Sequence, residues 1–340
     1  MTDRDNAGAG GGDLVSELSW RAARLTDAGD LTGLFTAIEM AAPIGLETEP
    51  GEVLARLSMP RLDLRADTLI GADAAGGLVA YADAADMDVG AGQFRIRLTC
   101  AVHPGAGGGV LEAVLNWLTG RARQMRRERH PDLPGVASVR CAAADHARRA
   151  ALTAAGFRTD HWHHEMTRDT AGPLPAQAAA DGVVVVPYDA RYSEAARLAQ
   201  NEAFATEPHG RLLDARDWPR YAVGLATFLP AASFLALDGA TGPAAGQGQQ
   251  VAAFLLSLEH HGHSGDRSGT LLSLGTRTRW RGHGLATALI SRALTAYQQA
   301  GLTTARLEVC SHNDSAVSLY TKLGFANSDR GYAIVMGPIP

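Results

Sequence analysis

The chain has 340 residues, 46% hydrophobic and 20% charged, with a formal net charge of −5. No basic stripe is visible, which argues against nucleic acid as a partner, and no apolar run is long enough to span a membrane. The length suits two domains of ordinary size, each able to bury its own core.

The opening stretch, "MTDRDNAGAGGGD", lacks the charged and apolar regions of a signal peptide. Residues 1–17 read as a flexible tail. Cys100, Cys141 and Cys310 are too few and too scattered for a disulfide framework or a zinc cluster. Each sits in an apolar, strand-like run, so small buried thiols and a reducing cytoplasm are expected. Lys322 is the only lysine beside abundant arginine, which reads as codon bias and carries no functional signal.

From residue 18 onward one order of elements appears twice. "LSWRAARL" and "VVVVPY" read as strands. Each is followed by a helix with acidic residues near its start, "TDAGDLTGLFTAIEMA" and "DARYSEAARLAQNEAF". Two strands come next, "TLIGAD" and "GLVAYADA" in the first half, "SFLALD" and "VAAFLLSLE" in the second. A further strand, "FRIRLTCAV" or "TLLSLGT", leads into a glycine-rich loop and a long helix. A short strand follows, "ASVRCA" or "ARLEVC", then a helix ending in Gly156-Phe157 or Gly324-Phe325, then an expected closing hairpin. Between the copies, "DTAGPLPAQAAADG" reads as a linker. The expected layout is a domain over 18–168, a linker over 169–182 and a second domain over 183–340. Each domain is of mixed α/β class, a mostly antiparallel sheet flanked by helices.

The loop of the second copy, Arg281-Gly282-His283-Gly284-Leu285-Ala286, runs from strand to helix. A helix starting there offers unpaired amides and a positive dipole end, a place for phosphates. Glycines let such a ligand approach the backbone, and Arg281 adds charge. The spacing is neither a P-loop nor a dinucleotide fingerprint. A tight turn with a chance arginine remains the bland alternative.

The next phrase, "SHNDSAVSLYTKLGF", carries Asn313, Ala316, Tyr320, Gly324 and Phe325 in order. With Arg281, Gly284 and Ala286 it resembles the two acetyl-CoA motifs of the Gcn5-related N-acetyltransferases, the GNAT family. The resemblance covers nearly the whole chain after residue 17. It is similar to tandem members such as the mycothiol synthases and those associated with clavulanic acid biosynthesis, which implies a place in secondary metabolism. It implies that Leu274, Gly275 and Thr276 pair with pantetheine and that amides from Gly282 through His283, Gly284 and Leu285 to Ala286 hold the pyrophosphate. Asn313, beside Ala316, would touch the pantetheine arm, and Tyr320 would protonate the leaving thiolate as general acid. The implied reaction is acyl transfer from acetyl-CoA, or another acyl-CoA, to a small-molecule amine by direct attack.

Counting back from Gly-Phe, Tyr320 corresponds to Leu152, Asn313 to Asp145 and Ala316 to Arg148. The first copy therefore lacks the acid and is expected to be non-catalytic. Its strand edge at Ala101 and Val102 and its helix start, Gly107, Gly108, Gly109, Val110 and Leu111, could still hold an acyl-CoA as a structural ligand. Arg148 and Arg149 would then supply the missing charge. An empty, degenerate half is the alternative.

Many family members carry a glutamate base on the strand before the loop, where this chain has Thr270. Glu259, acting through a water, is the candidate replacement, with His260 and His261 behind it. Glu202, Glu207 and His209 fall where an acceptor pocket is expected. His161, His163 and Glu165 share one strand face, and His260, His261 and His263 crowd a hairpin. Neither set has the supporting pattern of a metal site, and no metal is expected. A non-catalytic acyl-CoA sensor and a mycothiol-synthase-like enzyme remain the rival readings.

Overall fold

The computed structural model describes residues 17–339 except 43–45, 47, 60, 91, 175–181, 206–211, 240–249 and 262–266. The expected tail apart from Glu17, the middle of the linker, and Glu207, His209 and His263 lie outside the described residues. The chain forms two compact units. One holds the chain up to His163 with Cys310–His312 and Arg330–Pro340, and the other holds His164–Val309 with Asn313–Asp329.

The first unit contains β1 (Ser19–Arg21), α1 (Ala28–Ala41), α2 (Pro50–Leu57), α3 (Leu64–Asp67), β2 (Thr68–Ala72), β3 (Leu78–Gly90), β4 (Gln93–Val102), α4 (Gly108–Arg129), β5 (Gly135–Ala142) and α5 (His146–Ala154). β6 (Arg158–Asp169) begins here. Strands β1 to β4 pair antiparallel in sequence order, and β4 pairs parallel with β5. Alternation along β4 sets the layers. Phe94, Ile96 and Leu98 pack with Val114, Leu118 and Met125 of α4. On the other face Tyr81 and Ala101 pack with Leu31 and Phe35 of α1 and with Val53 and Leu57 of α2. The short α2, which opens on Pro50, has no counterpart in the expected element order.

The second unit contains β7 (Val183–Pro187), α6 (Ser193–Phe204), β8 (Phe234–Asp238), β9 (Gln250–His261), β10 (Arg267–Thr276), α7 (Leu285–Gln299), β11 (Thr304–Cys310) and α8 (Asp314–Lys322), and β12 (Ala326–Ile339) starts in it. β7 to β10 pair antiparallel in sequence order, and β10 pairs parallel with β11. Leu285, Leu289, Ala293 and Leu294 of α7 pack against Leu271, Leu307 and Val309. On the opposite face Ala196, Ala199 and Ala203 of α6 pack on Phe254 and Leu256.

The expected closing hairpins are absent. After each Gly-Phe comes one long strand, β6 or β12, and each crosses from one unit to the other. From Tyr332 to Ile339, β12 pairs with Ala142 to Gly135 of β5. Ala333, Val335 and Ile339 thereby join the first unit's core. In return Met166 enters the second unit's core, and Thr170 donates its N–H to the Thr303 carbonyl at 3.0 Å. Sequence periodicity shows that these segments are extended, but not which partner strand they meet.

Removing residues 330–340 should therefore damage the wrong half by sequence. Hydrogen exchange is expected to accelerate in β5 and α5 while α7 stays protected. Equal loss of protection in both units would contradict this assignment.

Candidate functional site

In the second unit the β10–β11 ladder runs only from Ser268/Thr304 to Leu271/Leu307. β10 then continues to Thr276 and β11 to Cys310, so the two strands part and leave backbone groups unpaired between them. A β-bulge interrupts the β9–β10 register between Leu271 and Ser273, at the point of parting. Bulges re-aim backbone groups, and they recur beside active sites. The first unit has no bulge at the matching place, where β3 and β4 stay in register from Asp86/Ile96 to Ala80/Val102.

Leu274, Gly275 and Thr276 lie on the free part of β10. Gly275 must be glycine, because a Cβ would lie 2.5 Å from the Phe254 ring and 2.9 Å from Ala203. Ser273, buried, donates to Gln200 Oε1 at 2.7 Å, tying α6 to this strand.

The loop beyond turns through Gly282 (φ 81°) and Gly284 (φ 74°), both left-handed, and nothing lies within 4 Å of a Cβ placed on either. Gly284 is the N-cap of α7, and the first helical bond runs from the Ala288 N–H to the Gly284 carbonyl at 3.0 Å. The amides of Leu285, Ala286 and Thr287 precede that bond and face an open helix start. The Cβ-free opening and these amides fit a phosphate-bearing ligand. Arg281 is bound to the protein itself, donating to the carbonyls of Ala203 at 3.0 Å and Thr276 at 3.4 Å. It braces the loop against α6. His283 Nδ1 lies 3.0 Å from the Arg281 carbonyl and 3.2 Å from the Trp280 carbonyl. Two acceptors there require the proton on Nδ1.

Tyr320 sits in the last turn of α8, its ring edge-on to Phe325 at 6.0 Å. Its hydroxyl has no hydrogen-bond partner among the described residues, and burial pushes its pKa up to about 12. Gly324 (φ 83°) ends the helix left-handed, and the Phe325 N–H returns to the Tyr320 carbonyl at 3.0 Å. The Gly-Phe pair thus fixes the turn that carries the tyrosine.

Asn313, expected at the pantetheine arm, makes a structural contact within the protein. Its Oδ1 accepts from the Ala316 N–H at 3.1 Å and from Ser315 Oγ at 2.9 Å, so it caps α8. Asp145 does the same for α5, which explains why these positions match between the copies.

Glu259 is the base that the sequence suggests. It pairs with Gly269, five residues before Leu274, about 17 Å along a strand. Its carboxylate is held by Arg267 at 2.7 Å. His260 and His261 lie farther still, opposite Ser268 and Arg267. Glu202 is bound by Arg277 at 2.6 Å, a hydrogen bond that holds its carboxyl below the usual range.

A residue missed in the sequence is Glu308. It is exposed and is the first residue of β11 beyond the last pair with β10. Leu307 and Val309 face α7, so Glu308 faces the other way, with Arg306. The signal was a lone carboxylate inside the apolar run "ARLEVC". In the first unit the residue after the last pair, Leu98/Val139, is Arg140.

The first unit's positions are arranged differently. None of Gly107, Gly108 and Gly109 has positive φ, and Val110 and Leu111 pack on the core. Ala101 is fully buried and Val102 nearly so, both still paired with β3. Arg149 donates to the Ala143 carbonyl at 3.2 Å and stacks over Trp162 at 5.6 Å. Arg148 is 5% exposed and points inward, and Leu152 is fully buried. Neither arginine supplies a free charge at the loop. His161 Nε2 lies 3.1 Å from His163 Nε2, yet no cluster of three or more His, Cys, Asp or Glu suited to a metal occurs among the described residues.

Residues 195–325 match the family described as Acetyltransferase (GNAT) family. This segment belongs to the GNAT family. The mycothiol acetyltransferase of Streptomyces scabiei is 33% identical over 146 residues, 43% of this chain and 43% of that protein. That of Salinispora arenicola is 29% identical over 286 residues, 80% of this chain and 82% of that protein. The first of these relatives is thus matched over less than half its length. A GCN5-related N-acetyltransferase from Sphaerobacter thermophilus superposes with TM-score 0.70 at 21% identity, covering 96% of this chain and 97% of that one. A tandem GNAT protein from the clavulanic acid pathway gives TM-score 0.66 at 16% identity, over 95% and 99%. These superpositions show the tandem GNAT fold. No described helix is long and apolar enough to cross a membrane.

Because its folded pKa is raised, Tyr320 should stay a neutral phenol at about pH 10.5, where an ordinary tyrosine is mostly ionised. The stability that its burial gives is intact below pH 10 and fades as pH climbs towards 12. Ultraviolet spectra of wild type and Tyr320→Phe at about pH 10.5 should differ by no phenolate signal.

Proposed function

We propose that the GNAT segment transfers an acyl group, acetyl in the simplest case, from acyl-CoA to a small-molecule amine. The observation that carries this reading is the parted β10–β11 ladder. Within one unit it joins an unpaired strand edge, a helix start over left-handed glycines, and a helix bearing a half-buried neutral phenol. Acyl-CoA would supply the activated thioester. The edge at Leu274, Gly275 and Thr276 would pair with its amide-bearing arm, and the α7 amides would receive its phosphates. Backbone N–H groups at the bulge would polarise the acyl carbonyl.

The protein's own residues then move protons. The amine nitrogen bonds to the acyl carbon and the carbon–sulfur bond breaks. The Tyr320 hydroxyl gives its proton to the departing sulfur, and a pKa near 12 keeps that proton available at neutral pH. Glu308, at the mouth of the parting and facing away from α7, takes the proton that the amine loses. This replaces Glu259 as the base. The mycothiol acetyltransferases among the relatives support a small polar amine as acceptor.

Release of free CoA with a panel of small amines tests the reading, and a protein that binds acyl-CoA without releasing CoA would be a sensor. Tyr320→Phe should lower kcat roughly ten- to a thousand-fold with acyl-CoA affinity nearly unchanged. Glu308→Gln should lower kcat by a similar factor. Unchanged turnover would remove either residue from the mechanism. Gly284→Val should abolish acyl-CoA binding measured by calorimetry, while a thermal melt confirms that the fold survives.

A further inference from the structure

The first unit has its own parted ladder. β4 and β5 pair from Phe94/Gly135 to Leu98/Val139, then β4 continues to Val102 and β5 to Ala142. On their outer sides both strands stay paired, with β3 and β12. Between them the two strands do not pair with each other, and at the mouth of the wedge the Asp145 N–H donates to the Ala142 carbonyl at 3.1 Å. Register identifies the edge: Cys100 pairs with Ala82 as Leu274 pairs with Leu255, and Ala101 pairs with Tyr81 as Gly275 pairs with Phe254. Cys100 is therefore the counterpart of Leu274.

One side chain fills this wedge. The guanidinium of Arg148 donates from Nη1 to the Cys100 carbonyl. Its Nε pairs with Asp145 Oδ2 at 3.0 Å, and Asp145 in turn caps α5 by accepting the Arg148 N–H. The arginine is buried to 5% exposure. The Asp145 carboxylate offsets the charge and the Cys100 carbonyl takes one N–H, while Nε, close to Asp145, has no hydrogen bond of its own. The counterpart of Arg148 in α8 is Ala316, whose methyl leaves the second wedge clear of any such donor. Leu152 adds an apolar side chain, 0% exposed, where the second unit has its phenol.

We infer that Arg148 is a built-in occupant of the first unit's wedge, closing to acyl-CoA the slot that the second unit keeps open. Its guanidinium takes the carbonyl that an amide N–H of the pantetheine arm would need. An acyl-CoA entering there would have to expel the buried guanidinium and leave Asp145, the N-cap of α5, without its arginine. The expectation that Arg148 would recruit phosphates is thereby reversed. The inference rests on the reading of the second wedge as the pantetheine slot.

The test counts sites by titrating acetyl-CoA into the full chain in a calorimeter. Wild type should bind one molecule and Gly284→Val none. Arg148→Ala should gain a second, weaker site. A crystal grown with saturating acetyl-CoA should keep the Arg148–Cys100 contact and show ligand in the second unit alone, a readout that holds even where Arg148→Ala does not fold. Two sites in wild type, or pantetheine in place of the guanidinium, would overturn this inference and leave the second unit's function standing. A folded Arg148→Ala that gains no site would also overturn it. Absence of binding by every form would instead strike the reading of the second unit, and with it the equivalence used here.

Discussion

A parallel pair of strands that stops pairing partway leaves polar backbone without partners, and that constraint organises the second unit. β10 and β11 do not pair beyond Leu271 and Leu307, and α7 enters from the end of β10 over a loop that turns left-handed twice. Burying the exposed edge would cost free energy unless something hydrogen-bonds to it. An extended, amide-bearing ligand meets that requirement as a third strand would. The open helix start of α7, Tyr320 on α8 and Glu308 on β11 all lie on the elements that follow this one gap.

The duplicate satisfies the same requirement with its own chain. Its strands part at the matching pair, but an arginine head replaces an incoming backbone. The architecture is kept while the phenol is not. The changes are few: phenol to leucine, alanine to arginine, and glutamate to arginine at positions 152, 148 and 140. A gap that no ligand fills must be filled by the protein, and a long charged side chain with a local carboxylate does so without a new element.

What was legible in the sequence was local. The glycine loop, the helix after it and the Gly-Phe ending could be read because each is fixed by a few consecutive residues and a backbone angle that only glycine takes readily. The duplicated order of elements was legible for the same reason. Tyr320 was named through its motif, but its environment was not, since that depends on Phe325 and the core beneath. Partners brought together by folding stayed hidden. Arg281 beside "GHG" suggests a phosphate contact, yet its guanidinium meets a carbonyl 78 residues away. Glu259 reads as available in the sequence, but the Arg267 guanidinium holds its carboxylate, and Glu308 reads as any strand residue until the ladder is seen to end beside it. Extended segments reveal their alternation but not their neighbours, so the crossing of β6 and β12 had no sequence signature.

That crossing bears on how the protein can be made. On a ribosome β5 emerges some two hundred residues before the strand that completes its edge, β12 beyond residue 330. Until then the first unit carries an unsatisfied strand edge, the kind that invites pairing with another nascent chain. Its folding is tied to that of the second unit, whose helices and strands lie between. A gene cut at residue 169 or 182 would yield two fragments, each lacking a strand that the other encodes. Co-expressing the fragments would supply both strands, and separate expression would supply neither.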